Sequence, residues 1–546
     1  MGLQMKNIEM AQVLFERLVS IGVSRFCFCA GARNAPLIEV LDHSRGIFQK
    51  SFFDERSAGF FALGMAKQSG EAAAVITTSG TAVAELLPAV IEAYYSGQPL
   101  VLITADRPRA YRGSAAPQAI EQVGIFSAYT KIVYDIEAPF DFATLNIAQA
   151  GVTHINICFS EPLIDGSVET LDFSYGRQKL NQAKSMADPC ENNLSDIESS
   201  RIERFFSHVK KPLVIVGGLL PQTRGATLEF LLSLKAPVYL EAPSGIREDP
   251  RLAHLKLRSG SDGLSAKEFE RSFDGVLRMG SVPTFRLWRD LDLSLQHVPV
   301  LSVHDLPFSG LAREKTPAIN FASFFSFQSR ETKTRQHADD VSRENALQDD
   351  EKGMNRFENL ISNFKHSEVA MVRRLSEMIP STALVFLGNS LPIREWDLAA
   401  SYEVAHPEIF ANRGANGIDG LISTFLGVAT TAKKESWLIL GDLSALYDLN
   451  ALAIASPDEK LRIVVINNYG GQIFSRLFRS DKFLNSHRFA FSHWAEMFGF
   501  EYVRCENMSA DKVFSSVGQR TIIELLSDET ESAEFWRQWS RSATQG

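Results

Sequence analysis

Apolar residues along the chain fall into two alternating rhythms. Helical spacing over Ile8 to Ile21 and over Ala35 to Asp42 brackets an apolar run from Arg25 to Ala30. The alternation continues with a helix through Arg56 to Gln68, a strand at Ala72 to Thr77, a helix from Thr81 to Tyr95 and a strand at Leu100 to Ala105. Short runs that are apolar on both faces suit parallel strands covered by helices on each side. The pattern predicts an α/β fold with mostly parallel sheets flanked by helices.

A polar stretch from Gln182 to Ser199, carrying Pro189 and several Asn and Asp residues, reads as a linker. Strand-like runs resume at Lys211 to Gly218, Ala236 to Glu241, Gly275 to Met279 and Val298 to Val303, predicting a second α/β segment. From Gln328 to Arg356 charged and polar residues dominate, so that stretch is expected to be exposed and partly mobile. We expect a first domain over 1–182, a central α/β domain over 200–327, a polar linker over 328–356 and a third domain over 357–546. Three domains suit a chain of 546 residues.

Composition narrows the partners. With 45% hydrophobic and 22% charged residues the chain is an ordinary globular protein, and no apolar run is long enough for a membrane span. A formal charge of −9 argues against a nucleic-acid surface, which needs a net basic face. Arginines that matter should face small anions. Cys27, Cys29, Cys158, Cys190 and Cys505 are an odd set without C-x-x-C spacing, which fits reduced thiols better than disulfides or zinc. The first residues lack a signal-peptide pattern, so a cytoplasmic enzyme is expected.

The chemistry concentrates in GDLSALYDLNALAIASPDEKLRIVVINNYGGQIF, residues 441 to 474. Trp437 to Leu440 and Leu461 to Ile466 read as strands, with helical spacing over Tyr447 to Ile454 between them. Asp442 and Asn468 then stand at the carboxyl ends of neighbouring strands, where open α/β sheets bind ligands. Magnesium takes hard oxygen donors, and Asp442, the Asn468 side-chain oxygen and a backbone carbonyl of the Gly470-Gly471 turn would supply three. Gly441, Ser444 and the following helix N-terminus offer N–H groups to a diphosphate. A structural turn is the alternative, since Gly-Asp and Asn-Asn pairs are common in loops.

GD followed by some two dozen residues and NN resembles the thiamine diphosphate signature. The variant with GDLSALYDLN and NNYGGQIF is similar to one branch of those enzymes, the 2-succinyl-5-enolpyruvyl-6-hydroxy-3-cyclohexene-1-carboxylate synthases (MenD) of menaquinone biosynthesis. The resemblance implies a transferase that uses thiamine diphosphate and Mg²⁺, with Mn²⁺ as a substitute. It implies decarboxylation of 2-oxoglutarate and conjugate addition of the succinyl carbanion to isochorismate. It also implies a pyrimidine-binding, a central and a diphosphate-binding domain, in a homodimer or homotetramer whose sites form between subunits. The metal ligands would be Asp442, Asn468 and Gly470.

The same resemblance assigns the remaining roles. Glu55, in Phe52-Phe53-Asp54-Glu55-Arg56, matches the acid that exchanges a proton with the aminopyrimidine ring; burial beside apolar groups would help by raising its pKa. Otherwise Asp54 and Glu55 merely favour a helix N-terminus. Gln118 matches a polar residue near the reacting centre, and Thr78, Ser79 and Gly80 border the cofactor. Ile418 supports it from below, beside Gly417. Asn389, Ser390 and Leu391 join it, as do Gly441, Leu443 and Ser444 and, after the NN pair, Gly471, Gln472 and Ile473. Phe474 and Leu477 fit an apolar wall for the substrate, with simple packing as the alternative.

Each substrate carries two carboxylates, which arginine reads bidentately. Arg33, Arg107, Arg286, Arg394 and Arg413 match substrate arginines, although any one of them taken singly is more often a surface ion pair. The family's G-S-R-S-T-P becomes Gly31-Ala32-Arg33-Asn34-Ala35-Pro36, losing three hydroxyls, and Leu287 stands where a second basic residue is common. Two other readings compete: another thiamine diphosphate enzyme, such as a 2-oxoacid decarboxylase or acetolactate synthase, and a non-catalytic α/β nucleotide-binding module.

Overall fold

A computed structural model describes residues 5–174, 195–259, 266–330, 340–478, 480–506 and 518–542. The apolar runs form three parallel sheets. The first holds β1 (Arg25–Cys29), β2 (Phe48–Phe52), β3 (Ala73–Thr77), β4 (Leu100–Asp106), β5 (Ile132–Ile136) and β6 (Val152–Cys158), in the order β2-β1-β3-β4-β6-β5. β3, β4 and β6 are buried at every residue, as expected for strands with both faces covered. The second sheet is smaller: β7 (Pro212–Val216), β8 (Val238–Leu240), β9 (Gly275–Met279) and β10 (Val300–Val303), in the order β8-β7-β9-β10. The third holds β11 (Leu384–Leu387), β12 (Ile409–Ala411), β13 (Ser436–Gly441), β14 (Leu461–Ile466), β15 (Glu501–Cys505) and β16 (Arg520–Leu525).

The third sheet's order is β12-β11-β13-β14-β16-β15, the same permutation as the first. In each, the second strand lies on one side of the first and the third strand on the other. This creates a topological switch at β1/β3 and again at β11/β13, where doubly wound sheets open a crevice beyond their strand ends.

Contacts divide the described chain into two units. One comprises the residues up to 174 together with Gly414–Lys433 and Ser444–Glu459; the other comprises the described residues from 195 to Arg413, Lys434–Leu443 and those from Lys460 onward. The first sheet belongs to the first unit, and the second and third sheets belong to the second.

Three sequence readings change. The helix expected over Thr81 to Tyr95 is two, Thr81–Ala84 and Leu87–Ser96, with Pro88 in the first turn of the second, where its missing N–H costs nothing. The linker reading of Gln182 to Ser199 fails at its end, where Ser195 and Glu198 form a capping box on helix Asp196–His208; residues 182–194 lie outside those described. Most of the polar linker of 328–356 is helix Asp340–Asn363, which buries Ala346, Asp350, Met354, Phe357 and Leu360. Spacings of three and four residues make a single stripe that a mean over the whole stretch conceals. Its buried Asp350 accepts from the Arg258 and Ser259 amides and from the Ser259 hydroxyl, fastening the helix to the central segment. Residues 331–339 lie outside those described, as does Cys190; Cys27, Cys29, Cys158 and Cys505 are buried free thiols.

In the first unit, helix Glu55–Ser69 lies against helix Leu421–Ala432 with glycine at the points of closest approach. A Cβ at Gly64 would overlap the Thr424 carbonyl, and one at Gly427 the Phe61 carbonyl. Backbone cannot retreat as a side chain can. Gly64→Ala and Gly427→Ala should each lower stability by about 2 kcal/mol or more, even after the ~1 kcal/mol gain in helix propensity. Denaturant unfolding of the purified variants measures this.

Candidate active site

In the second unit the site is built at the β11/β13 switch. β13 pairs with β14 so that Gly441 lies opposite Ile466, and the next residues on each strand are Asp442 and Asn467. Asp442 begins helix Asp442–Tyr447, earlier than the helical spacing suggested, and a 3₁₀ stretch follows at Leu449–Ile454. Its buried carboxylate accepts from the Leu443 amide on Oδ1 (2.6 Å) and from the Gly470 amide on Oδ2 (2.8 Å). The Leu443 N–H is therefore committed within the protein. His487 Nε2 lies 3.1 Å from Oδ2, off the line of a good hydrogen bond, while its Nδ1 accepts from the Phe489 amide.

The turn after β14 is unusual backbone. Tyr469 has φ 61° and Gly470 φ 140°, and a Cβ at Gly470 would press on the Leu484 carbonyl oxygen at 2.5 Å. The Gly471 amide donates to that same carbonyl. Asn468 donates through Nδ2 to Glu368 Oε2 at 2.9 Å, leaving its amide oxygen without a donor. A carboxylate, an amide oxygen and the Gly470 carbonyl thus come from two neighbouring strand ends, with Asp442 bonded directly to Gly470. This set is hard and entirely oxygen, and suits Mg²⁺ or Mn²⁺. Among the described residues no group of three or more His, Cys, Asp or Glu side chains is arranged for a metal, so a cation here draws on the amide and carbonyl oxygens.

Two of the predicted arginines converge. Arg394 donates to the Thr284 carbonyl (3.2 Å), and Arg413 donates to the Thr284 hydroxyl and to Asn389 Oδ1 (3.0 Å). Asn389, after β11, donates to the Asn412 carbonyl (2.8 Å), and Ser390 follows at φ 76° before helix Leu391–Ala399. Behind the arginines lie buried Glu241, which accepts from the Thr284 amide, and buried Asp397, which accepts from the Ala242 amide. Burial pushes both carboxyls up, the charge of Asp397 adds to the rise at Glu241, and Arg413 and Arg394 pull both back. Arg286 is placed differently: its side chain is 73% exposed and pairs with Asp290. Thr284, two residues earlier, is the residue that enters the cluster. Phe474 and Leu477 are exposed at 38% and 69%, next to the stacked rings of Phe478 and Phe483 (4.2 Å).

In the first unit several predicted residues follow the carboxyl ends of β1 to β4, around the β1/β3 switch. Gly31, after β1, approaches Thr78, after β3, so closely that a Cβ would strike its side chain. Arg33 is buried, donates to the Phe159 carbonyl and pairs with Glu161 at 3.1 Å. Arg107 donates to the Pro117 carbonyl (3.0 Å), and Gln118, at φ 58°, lies over Gly80. Asp54 caps helix Glu55–Ser69 by accepting from the Ser57 amide; Glu55, its first residue, is half-buried. Ile418 and Gly417 are half-buried and Ser444 is buried. The turn leading to Ile418 hangs on Glu92, which accepts from the Gly414 and Ala415 amides.

A buried polar chain supports this edge. Gln122 donates to the Ala105 carbonyl and to Asn156 Oδ1, and accepts from the Gly80 amide (3.2 Å). Thr104 donates to the same Asn156 oxygen and accepts from His154 Nε2 (2.8 Å), while Asn156 donates to Asp106 and Asp135. Sequence reading missed Gln122, Glu92, Thr284, Glu368 and His487. Each is a single polar residue whose partner is distant along the chain, so no local spacing marks it.

Residues 8–125 match the family model of the thiamine pyrophosphate enzyme N-terminal TPP binding domain. Similar proteins cover nearly the whole chain. One from Bdellovibrio bacteriovorus is 39% identical over 98% of this chain and 99% of its own length. Another from Akkermansia muciniphila is 38% identical over 94% and 95%, and one from Lysinibacillus sphaericus 31% identical over 96% of each. All three are named 2-succinyl-5-enolpyruvyl-6-hydroxy-3-cyclohexene-1-carboxylate synthase.

Burial pushes His154 down to about 4, from an ordinary value near 6.5. The folded state therefore binds its proton less readily than the unfolded chain, so the stability from neutral His154 is complete above ~6.5 and lost as pH falls toward about 4. Between pH 7.5 and 5 that share is about 2 kcal/mol. His154→Gln should show a correspondingly smaller loss of stability over this range in urea titrations.

Proposed function

This chain belongs to the 2-succinyl-5-enolpyruvyl-6-hydroxy-3-cyclohexene-1-carboxylate synthase family, and from that membership we propose that it decarboxylates 2-oxoglutarate and adds the remaining succinyl unit to isochorismate, a step of menaquinone biosynthesis. The observation that carries the reading is the second unit's edge, where a hard-oxygen set (Asp442, Asn468 and Gly470) and a convergent arginine pair (Arg394 and Arg413) sit on loops of one sheet. Identity over nearly the full length favours this reading over a decarboxylase, an acetolactate synthase or a non-catalytic module.

When bound, thiamine diphosphate supplies the electron sink for loss of carbon dioxide and returns the electron pair to the acceptor carbon. Asp442, Asn468 and the Gly470 carbonyl would hold Mg²⁺ or Mn²⁺, and Gly441, Leu443, Ser444, Gly471, Gln472 and Ile473 would surround the diphosphate. Thr78, Ser79 and Gly80 border the ring system, Gly417 and Ile418 support it, and Asn389, Ser390 and Leu391 close its side. Glu55 exchanges a proton with the aminopyrimidine nitrogen. Arg394 and Arg413 clamp substrate carboxylates, held in place by Thr284 and Asn389 and charge-balanced by Glu241 and Asp397. Arg33, Arg107 and Gln118 act from the first unit's edge. Arg286 acts only by turning from its Asp290 pair. Phe474 and Leu477 form an apolar rim that keeps water from the reacting carbon.

The domain assignment is a pyrimidine-binding domain over 1–182, a central domain over 200–327 and a diphosphate-binding domain over 357–546. On the resemblance to thiamine diphosphate enzymes, a complete site takes its pyrimidine half from one subunit and its diphosphate half from another, in a homodimer or a dimer of dimers. No described helix is long and apolar enough to cross a membrane. A cytoplasmic location fits the free thiols.

An assay with thiamine diphosphate, Mg²⁺, 2-oxoglutarate and isochorismate, following carbon dioxide and product mass, tests the reaction. Carbon dioxide release without an isochorismate adduct would overturn it. Glu55→Gln should lower kcat by about 10²–10⁴-fold while cofactor-induced thermal stabilisation persists. Arg413→Ala should raise KM for 2-oxoglutarate roughly 10–100-fold, the loss expected for a charged hydrogen-bonded contact. Mixing Glu55→Gln with Asp442→Ala chains should restore part of the activity; none restored, despite proven subunit exchange, would refute the shared site.

A further inference from the structure

We propose that Glu368 is a positioning residue for the metal site: its carboxyl holds the Asn468 side chain in the one orientation that presents the amide oxygen to the cation. This rests on the assignment of Asp442, Asn468 and Gly470 as the cation's ligands. An asparagine amide has two ends, an oxygen that binds a hard cation and an NH₂ that turns only hydrogens toward it, and a half-turn about χ2 exchanges them. Some partner has to choose between the two.

Glu368 is placed to choose. It opens helix Glu368–Met378, one hundred residues away along the chain, and its backbone N–H donates to the Ser532 hydroxyl (3.0 Å). Ser367 caps the same helix by accepting from the Ala370 amide. The side chain that this anchored turn projects is 4% exposed, and its Oε2 accepts from Asn468 Nδ2 at 2.9 Å. Its other oxygen, Oε1, is buried without a hydrogen-bond partner among the described residues, as are both oxygens of the fully buried Glu395. The oxygen that meets Asn468 is thus an acceptor, fixed by the 2.9 Å contact with Nδ2. An oxygen that only accepts attracts NH₂ and repels the amide oxygen, which leaves Oδ1 directed to the opposite side. Partners of metal ligands typically set ligand orientation in this way, and losing one weakens metal binding about 10–100-fold.

Mn²⁺ binding to the full-length protein with thiamine diphosphate, followed by electron paramagnetic resonance, tests the proposal without relying on turnover. Glu368→Leu and Glu368→Met, close in volume but without an acceptor, should each weaken Mn²⁺ binding about 10–100-fold with an unchanged melting temperature. Glu368→Gln should bind nearly as wild type, because its amide oxygen can still accept from Asn468. Wild-type affinity in the Leu and Met variants, or a loss in both that accompanies a lowered melting temperature, would overturn the role of Glu368. Asp442→Ala serves as the reference. If it too binds Mn²⁺ normally, the ligand assignment falls; if it loses binding while Glu368→Leu does not, only the positioning role falls.

Discussion

A carboxylate removed from water must find donors, and Asp442 finds them in the backbone around it. Its two oxygens take the Leu443 and Gly470 amides, joining the end of β13 to the glycine turn after β14. That link joins neighbouring strand ends beside the β11/β13 switch, and much of the second unit's site follows from it. The turn can close only because Gly470 adopts a backbone conformation that a Cβ would block against Leu484. The bond from the Gly470 amide fixes the turn that carries Asn468 and Gly470 against the carboxylate. Burial pushes Asp442 up while the two amides and His487 pull it down, a balance that a cation would tip toward the charged form.

The arginine cluster obeys the same rule with opposite sign. Two guanidinium groups beside one another repel, and they are held together here by neutral oxygens, the carbonyl and hydroxyl of Thr284 and the side chain of Asn389. Glu241 and Asp397 supply counter-charge from behind without occupying the arginines' hydrogen-bonding forks. In the first unit, Glu92, on helix Leu87–Ser96, holds the Gly414–Ala415 turn, and Gln122 holds the Gly80 amide.

The first and third sheets share one strand permutation, yet their switch points carry different chemistry. At β1/β3 the loops meet through Gly31 and Thr78, with arginines to either side. At β11/β13 they carry Asn389 and Asp442. The fold provides a crevice twice, and the loop residues decide its use.

Much of this was legible along the chain. Apolar periodicity located β1, β3, β4, β7 to β10, β13 and β14 to within a few residues, because a strand buried on both faces allows few polar positions, and it left the other strands of the first and third sheets unread. Asp442 and Asn468 could be read as partners because two strands and one connection bring them together, and that geometry is local. What periodicity misjudged was the 328–356 stretch, where one buried stripe is diluted by charge, and the helix Thr81 to Tyr95, which Pro88 interrupts. Strand order, and with it the repeated switch point, came only from the tertiary structure, since parallel pairing joins segments that carry no mutual signature. So did Thr284, Gln122, Glu92 and Glu368. Each acts through hydrogen bonds to partners distant along the chain, and the energy of such bonds depends on burial and direction, which no residue type specifies by itself.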